Sequence, residues 1–595
     1  MKRKILLALI FLLPLFAFPQ KSLLAYSVSM ENPAWHYFHV ELNCKSIKKD
    51  SIDFKMPVWT PGYYQRMDYA NYLENFKAFD AEGKELKWIK AGDNNWRVYS
   101  KNNPFIKLSY DIKTIKPFVA NSYLDETRGY IVPAGLFLHI DKMLKLPVQL
   151  SVAPAAGWNQ VVTGLDTVAG KPFTYTAADF DILYDNPILI GNLEELPSFK
   201  VRGITHRFIG YKLGNFDRIQ LMTDLKKIIE TSVNTIGDIP YKSYTFIAIG
   251  PGRGGIEHLN NTCFSFNGSS IVNRDSFLRT LYFLAHEYFH NYNVKRIRPI
   301  ELGPFDYDNG SKTKMLWFSE GLSVYYEYLL VKRAGLTTDE ELFNSFRNNI
   351  IAYERKPGRL FQTLEQASVE TWKDGPFGRT EDEVNKTISY YDKGPVVGML
   401  FDFKIRDFTK NKKSLDDVMR FLYKEYYQKK KRGFTDEDLR QAFETVAGTS
   451  LAEEFEYITT TKYLDYDRYF SYAGLKINTE VNELPGPYTG FTAIEKEDSL
   501  LIVSVDYESP SWNVGIRIKQ VILQINNKKA TSLLLKQTIE NSKPGDKISF
   551  AILTNDNPLK IELKVGKKSE KSFQISPIET PSPLQKQILE RWLKG

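Results

Sequence analysis

Leu281-Tyr282-Phe283-Leu284-Ala285-His286-Glu287-Tyr288-Phe289-His290 is the stretch whose reading decides the fold. An apolar run leads into an H-E-x-x-H pattern. On a helix, residues four apart share one face. His286 and His290 therefore point at one spot, with Glu287 close to that face. Thirty residues beyond His290, Leu316-Trp317-Phe318-Ser319-Glu320-Gly321 supplies a carboxylate. Two imidazoles and one carboxylate make a catalytic zinc set with a fourth position open. Zinc lowers the pKa of water and polarises a carbonyl, and Glu287 is placed to move the proton.

The five-residue pattern alone occurs by chance. Here, however, two of only seven histidines fall at this spacing. The apolar approach puts them at a core, where buried imidazoles need partners. Glu320 is the preferred third ligand, because Gly321 leaves room beside the metal. Glu327, seven residues on, stands either behind the ligands or toward solvent.

The match extends well past this pattern. The run from His286 through Asn291-Tyr292-Asn293-Val294-Lys295-Arg296-Ile297-Arg298-Pro299, continuing in Leu302-Gly303-Pro304-Phe305-Asp306-Tyr307, resembles the extended zinc motif of the glycyl aminopeptidase-like metallopeptidases. Leu316 to Gly321 resembles that family's third-ligand segment, and Met56-Pro57-Val58-Trp59-Thr60-Pro61-Gly62-Tyr63-Tyr64 resembles a segment of its N-terminal domain. The resemblance implies a multidomain α+β chain: an N-terminal β-sandwich-like domain, a thermolysin-like, mainly helical catalytic domain and a C-terminal PDZ-like β domain. It also implies an aminopeptidase with one catalytic Zn2+, acting on peptides with a free N-terminus and preferring Gly or Ala there.

Two further segments gain roles from the same resemblance. Gly254-Gly255-Ile256-Glu257-His258 is similar to the strand that precedes the zinc helix in related aminopeptidases. Glu257 would receive the substrate's α-ammonium through a charge-assisted bond, with Gly254 and Gly255 letting backbone approach the substrate. Tyr390-Tyr391-Asp392-Lys393-Gly394 is similar to a Tyr-x-Lys-Gly segment whose tyrosine donates to the oxyanion. The matching position is Tyr391, with Tyr390 as the adjacent alternative. Lys295, Arg296 and Arg298 read as a structural basic run, paired with Asp306 or Glu301.

At 595 residues the chain exceeds one ordinary domain. An apolar content of 43% supports large cores, and a net charge of +8 without a basic stripe or zinc-finger spacing excludes nucleic acid as a partner. Met1-Lys2-Arg3-Lys4 followed by apolar Ile5 to Phe18 reads as a secretory signal. This predicts export to a periplasmic or extracellular compartment, with cleavage after Ala25 or near Gln20. A retained anchor is the minor alternative, and no second membrane span is expected. Cys44 and Cys263 are expected to be independent thiols.

Strand alternation and turn signals place the N-terminal β domain over residues 26–210. The catalytic domain follows over 211–470, the PDZ-like domain over 471–580 and a short amphipathic tail over 581–595. His36 and His39 face opposite sides of a strand, so they share no metal. Glu508-Ser509-Pro510-Ser511-Trp512-Asn513-Val514-Gly515-Ile516 resembles the helix start of a PDZ domain, and Tyr488-Thr489-Gly490-Phe491 is the candidate carboxylate loop. Such a domain takes a C-terminal peptide as an added strand. Ile518-Lys519-Gln520 departs from the usual Gly-Asp. Two alternatives remain open: a zinc endopeptidase, and a catalytically silent scaffold built around the PDZ-like module.

Overall fold

The computed structural model describes residues 24–595 apart from 115, 377–384 and 555–556. Most of the signal-like segment lies outside these residues. Leu24 and Ala25 already belong to the strand Leu24–Ser29, which pairs with Tyr37–Lys45 and, in parallel, with Val148–Ala153. A boundary after Ala25 therefore falls inside a strand.

Strict alternation builds the first domain. In Tyr37–Lys45, Phe38, Val40, Leu42 and Cys44 face inward, and in Phe105–Lys113 their counterparts are Ile106, Leu108, Tyr110 and Ile112. The two strands pair in antiparallel register, Val40 opposite Tyr110 and Leu42 opposite Leu108. A period of two sends one set of side chains to a single face, and here that face is the core. A seven-stranded sheet packs with two four-stranded sheets into the sandwich-like domain. His39 turns outward to Asp111 while His36 contacts the Leu124 carbonyl, so the two histidines share no site.

One boundary moves. Strand Ile204–Gly210, assigned above to the N-terminal domain, pairs in parallel with Ser243–Ala248 and belongs to the six-stranded sheet of the catalytic domain. Alternation marks a strand but not the sheet that receives it. That sheet runs through Asn261–Phe264 and ends at the short edge strand Gly255–Glu257. Helices Arg218–Ile236, Arg274–Phe289, Leu322–Arg333, Asp339–Glu354 and Tyr390–Phe408 pack with it around one large apolar cluster.

The C-terminal end departs furthest from expectation. Leu475–Ile477 pairs with Ile575–Pro577, and the side chains of Leu475, Ile477, Phe573 and Ile575 join the catalytic core. Residues 581–595 are no tail. Helix Pro583–Lys594 docks on the catalytic domain with Trp592 fully buried, its ring among Phe343, Phe346 and Phe403 and its indole N–H donating to the Tyr325 hydroxyl at 2.9 Å. The PDZ-like domain is thus enclosed by two stretches of the catalytic domain. It keeps a separate small core that includes Leu500, Ile522, Phe550 and Leu563. No helix among the described residues is long and apolar enough to cross a membrane.

Candidate active site

The helix Arg274–Phe289 starts at an Asn273 cap whose side chain accepts from the Ser276 N–H, in a reciprocal capping box. Leu278, Leu281, Leu284 and Ala285 bury its inner face, which carries His286 and Glu287 into the interior at its last turn. His290 is the C-cap. Glu320 arrives from a π-helical turn, Trp317–Gly321, just ahead of the helix Leu322–Arg333. Single π turns of this kind re-aim one side chain.

His286, His290 and Glu320 each bring one donor atom within 4.8 Å of the other two. The imidazole Nε2 atoms stand 2.8 Å apart. Glu320 Oε2 lies 3.5 Å from the first and 3.3 Å from the second. Ligands at ~2.0–2.1 Å around a tetrahedral ion would be ~3.3–3.4 Å apart, so the trio is close to ligand spacing.

Each ring is also held from its far side. His290 Nδ1 donates to the Asn293 carbonyl at 2.6 Å, and Glu327 Oε2 stands 2.9 Å from His286 Nδ1. The Asn293 carbonyl assigns the His290 Nδ1 proton and turns its Nε2 lone pair inward, and the Glu327 carboxylate lies on the corresponding far side of His286. Lone pairs and a carboxylate converging in a buried space repel one another unless a cation sits among them. The residues therefore fit a divalent ion of the zinc type. Glu327 proves to stand behind His286, which resolves the two readings of it above.

The role given to Gly321 needs correction. A Cβ there would lie 2.6 Å from Gly394 Cα and 2.9 Å from the Tyr390 carbonyl. Its smallness lets two helix starts touch rather than making room for the ion. That contact brings Tyr391, whose hydroxyl donates to Glu320 Oε2 at 3.0 Å. Tyr390 turns instead to Thr371, 3.2 Å away. Burial, with the Glu320 charge adding, holds the Tyr391 phenol well above its ordinary pKa, so it remains a proton donor.

Glu287 is buried beside Thr262, whose hydroxyl donates to its Oε2 at 3.3 Å. Burial pushes its carboxyl up to about 7; the two imidazoles oppose this, and the charges of Glu257 and Glu320 add to it. Gly255 is where Glu287 needs space, since a Cβ there would lie 2.5 Å from Oε1. Gly254 holds a left-handed conformation, φ +85°. Glu257 ends the edge strand, 4% exposed, and its Oε1 has no hydrogen-bond partner among the described residues. A buried, unsatisfied carboxylate oxygen is costly and calls for a donor.

Several contributors were not singled out in the sequence. Gly62 of the N-terminal domain, φ +93°, seals Glu257: a Cβ there would lie 2.9 Å from Oε2. Tyr64, also buried, feels the charges of both Glu257 and Glu320. Asn293 ties the end of the motif helix to the ligand turn, donating to the carbonyls of Phe318 at 3.0 Å and Ser319 at 3.1 Å. The available signal was that Gly62, Tyr64 and Asn293 all lie inside the extended motif segments. The basic run also finds other partners than expected. Lys295 pairs with Asp185 at 2.5 Å, and Arg296 donates to three backbone carbonyls.

Family models match the chain in the same order as these domains. The Peptidase M61 N-terminal domain matches residues 25–192, the M61 glycyl aminopeptidase 279–397 and a PDZ domain 487–565. The chain carries an M61 N-terminal domain, an M61 glycyl aminopeptidase domain and a PDZ domain. The matched M61 segment contains both histidines, Glu287, Glu320 and Tyr391, and the match supports a peptidase. An aminopeptidase N family protein from Idiomarina loihiensis superposes with a TM-score of 0.85 at 24% identity, over 96% of this chain and 100% of that one. At that identity the likeness shows the fold. An M1 zinc metallopeptidase from Deinococcus radiodurans aligns at a TM-score of 0.47 and 12% identity, over 74% of this chain and 93% of that one, too distant to carry an argument. No curated protein matches the chain.

Proposed function

We propose that this protein is a zinc aminopeptidase that removes N-terminal Gly or Ala from peptides. His286, His290 and Glu320 hold the ion, which when bound supplies Lewis-acid polarisation of the scissile carbonyl and activation of water. Glu287 takes a proton from the attacking water and passes it to the leaving amine; a carboxyl near 7 suits both halves of that task. Tyr391 donates to the oxyanion as charge develops. Glu257 binds the α-ammonium and fixes the chain end against the reacting carbonyl.

The observation that carries this reading is the unpartnered Oε1 of buried Glu257 beside the three-donor cluster. An endopeptidase has no use for a buried carboxylate waiting for a cation. The preference for small residues rests on the family description. Export is supported by the basic and apolar opening of the sequence, and capture of a C-terminal peptide by the PDZ match.

Glycyl, alanyl and leucyl anilides, each free and N-acetylated, test the proposal. Zinc-restored activity on the free glycyl and alanyl compounds is expected, with ~10²-fold or greater loss on acetylation. Equal rates on acetylated substrates would remove the amine-anchor role and leave an endopeptidase, and faster leucyl cleavage would defeat the Gly/Ala preference. Glu257→Gln should lower the free-amine advantage more than it lowers zinc content.

A further inference from the structure

A cavity of about 760 Å³ is lined by residues of both the N-terminal and catalytic domains, and none of the metal-cluster residues lines it. Pro61 and Leu259 form part of its wall. Its volume falls in the range of small-molecule sites.

The charges on its wall are unequally satisfied. Asp179 and Asp181 share Lys145, Asp185 holds Lys295, and Asp238 accepts from Tyr423. Arg298 differs. It is half-buried, and among the described residues no carboxylate or carbonyl pairs with its guanidinium. Burial pulls its pKa below the ordinary value in spite of the more distant Asp181 and Asp185.

The guanidinium lies against Gly303 and near the Phe305 ring. A Cβ on Gly303 would lie 2.2 Å from its Cζ, and the Phe305 ring centroid is 5.9 Å away. A desolvated cation without a partner is costly, and a rigid planar fork of donors matches carboxylate or phosphate oxygens.

We propose that Arg298 anchors an oxyanion, the carboxylate or phosphate of a small ligand, in this cavity, at a site separate from the metal centre. Binding there involves no covalent step and no metal. The site is independent of the peptidase reading, because its test reads binding and not turnover.

Calorimetric titration of the full chain with inorganic phosphate and, separately, with succinate tests this at matched ionic strength. Wild type should show one saturable site for at least one of the two anions. The anion that saturates identifies the source, phosphate or carboxylate. Arg298→Gln should weaken binding by ~10-fold or more. Gly303→Ala should do the same, because it displaces the guanidinium while keeping the charge. Lys84→Gln, on an exposed surface lysine, should leave binding unchanged. Thermal melting of each variant separates lost binding from lost folding, and Gly303→Ala keeps the question answerable if Arg298→Gln unfolds. Two results would overturn the site: no saturation by either anion below concentrations on the order of 10 mM, or Arg298→Gln binding as wild type does.

Discussion

The catalytic domain and the PDZ-like domain solve the problem of stability in opposite ways. The catalytic core gathers residues from nearly the whole chain, from Val58 and Trp59 of the N-terminal domain to Ile588 and Trp592 near the end. The PDZ-like core uses only its own residues, Phe491 to Val565. The first arrangement suits a buried ionic site, since converging charges need walls on every side to hold geometry in low dielectric. The second suits a module that meets its partner at an open strand edge. The module sits inside the sequence of the catalytic domain, yet its apolar core is separate from that domain's.

The strongest test separates these two dependencies. Ending the chain at Asn478 removes the Ile575–Pro577 strand and the Pro583–Lys594 helix along with the module. Loss of a buried Trp side chain alone costs ~3–5 kcal/mol, a large fraction of a typical domain's stability. That truncation should give no cooperative melting of the catalytic domain and no activity. Replacing residues 479–571 with a short Gly/Ser turn keeps the strand pair and the helix, and Asn478 N–H already bonds the Gln574 carbonyl across the gap. This variant should melt cooperatively and turn over a glycyl anilide within ~3-fold of wild type. If both variants fail alike, the module is part of the catalytic core and the contrast is lost.

Within the core, Glu287→Gln is expected to cost ~10³–10⁴-fold in kcat with zinc content unchanged by metal analysis. It keeps the shape and removes the base. A parallel loss of zinc would mean that Glu287 helps to hold the ion. Tyr391→Phe should cost ~10²–10³-fold in kcat with little change in KM. Tyr390→Phe serves as its control, because its hydroxyl faces Thr371 and not Glu320. A larger effect at Tyr390 would reverse the assignment.

The sequence was most readable where chemistry dictates spacing. The i, i+4 histidines and the distant glutamate carry their geometry in the helix period, and the cluster forms as that period implies. Strand content was equally legible, but strand membership was not. Ile204–Gly210 alternates like its N-terminal neighbours, and nothing local says which sheet it joins. Residues 581–595 look amphipathic, a pattern shared by a solvent-facing tail and a docked helix; only the hole among Phe343, Phe346 and Phe403 decides between them. Lys295 illustrates the same limit for charge. Its partner Asp185 comes from a segment more than a hundred residues earlier, while the acids near it in sequence lie elsewhere.

The smallest expected effect lies in the module and bears most directly on its independence. Strand Phe491–Lys496 is at the edge of its sheet, and Ile494 on it is 53% exposed. Leu533, on the helix Ser532–Glu540, is exposed as well. An edge strand with exposed apolar side chains is a template for an added strand. Ile494→Lys should therefore shift stability by no more than ~0.5 kcal/mol and leave glycyl anilide turnover unchanged within ~2-fold. Its effect should appear in another measurement, weaker binding of a peptide with a free C-terminal carboxylate, by ~10-fold for one lost apolar contact. If turnover falls together with peptide binding, the two regions are coupled through contacts such as Phe361 with Tyr507 and Arg355 with Glu570, and the module acts on the active site and not only on what reaches it.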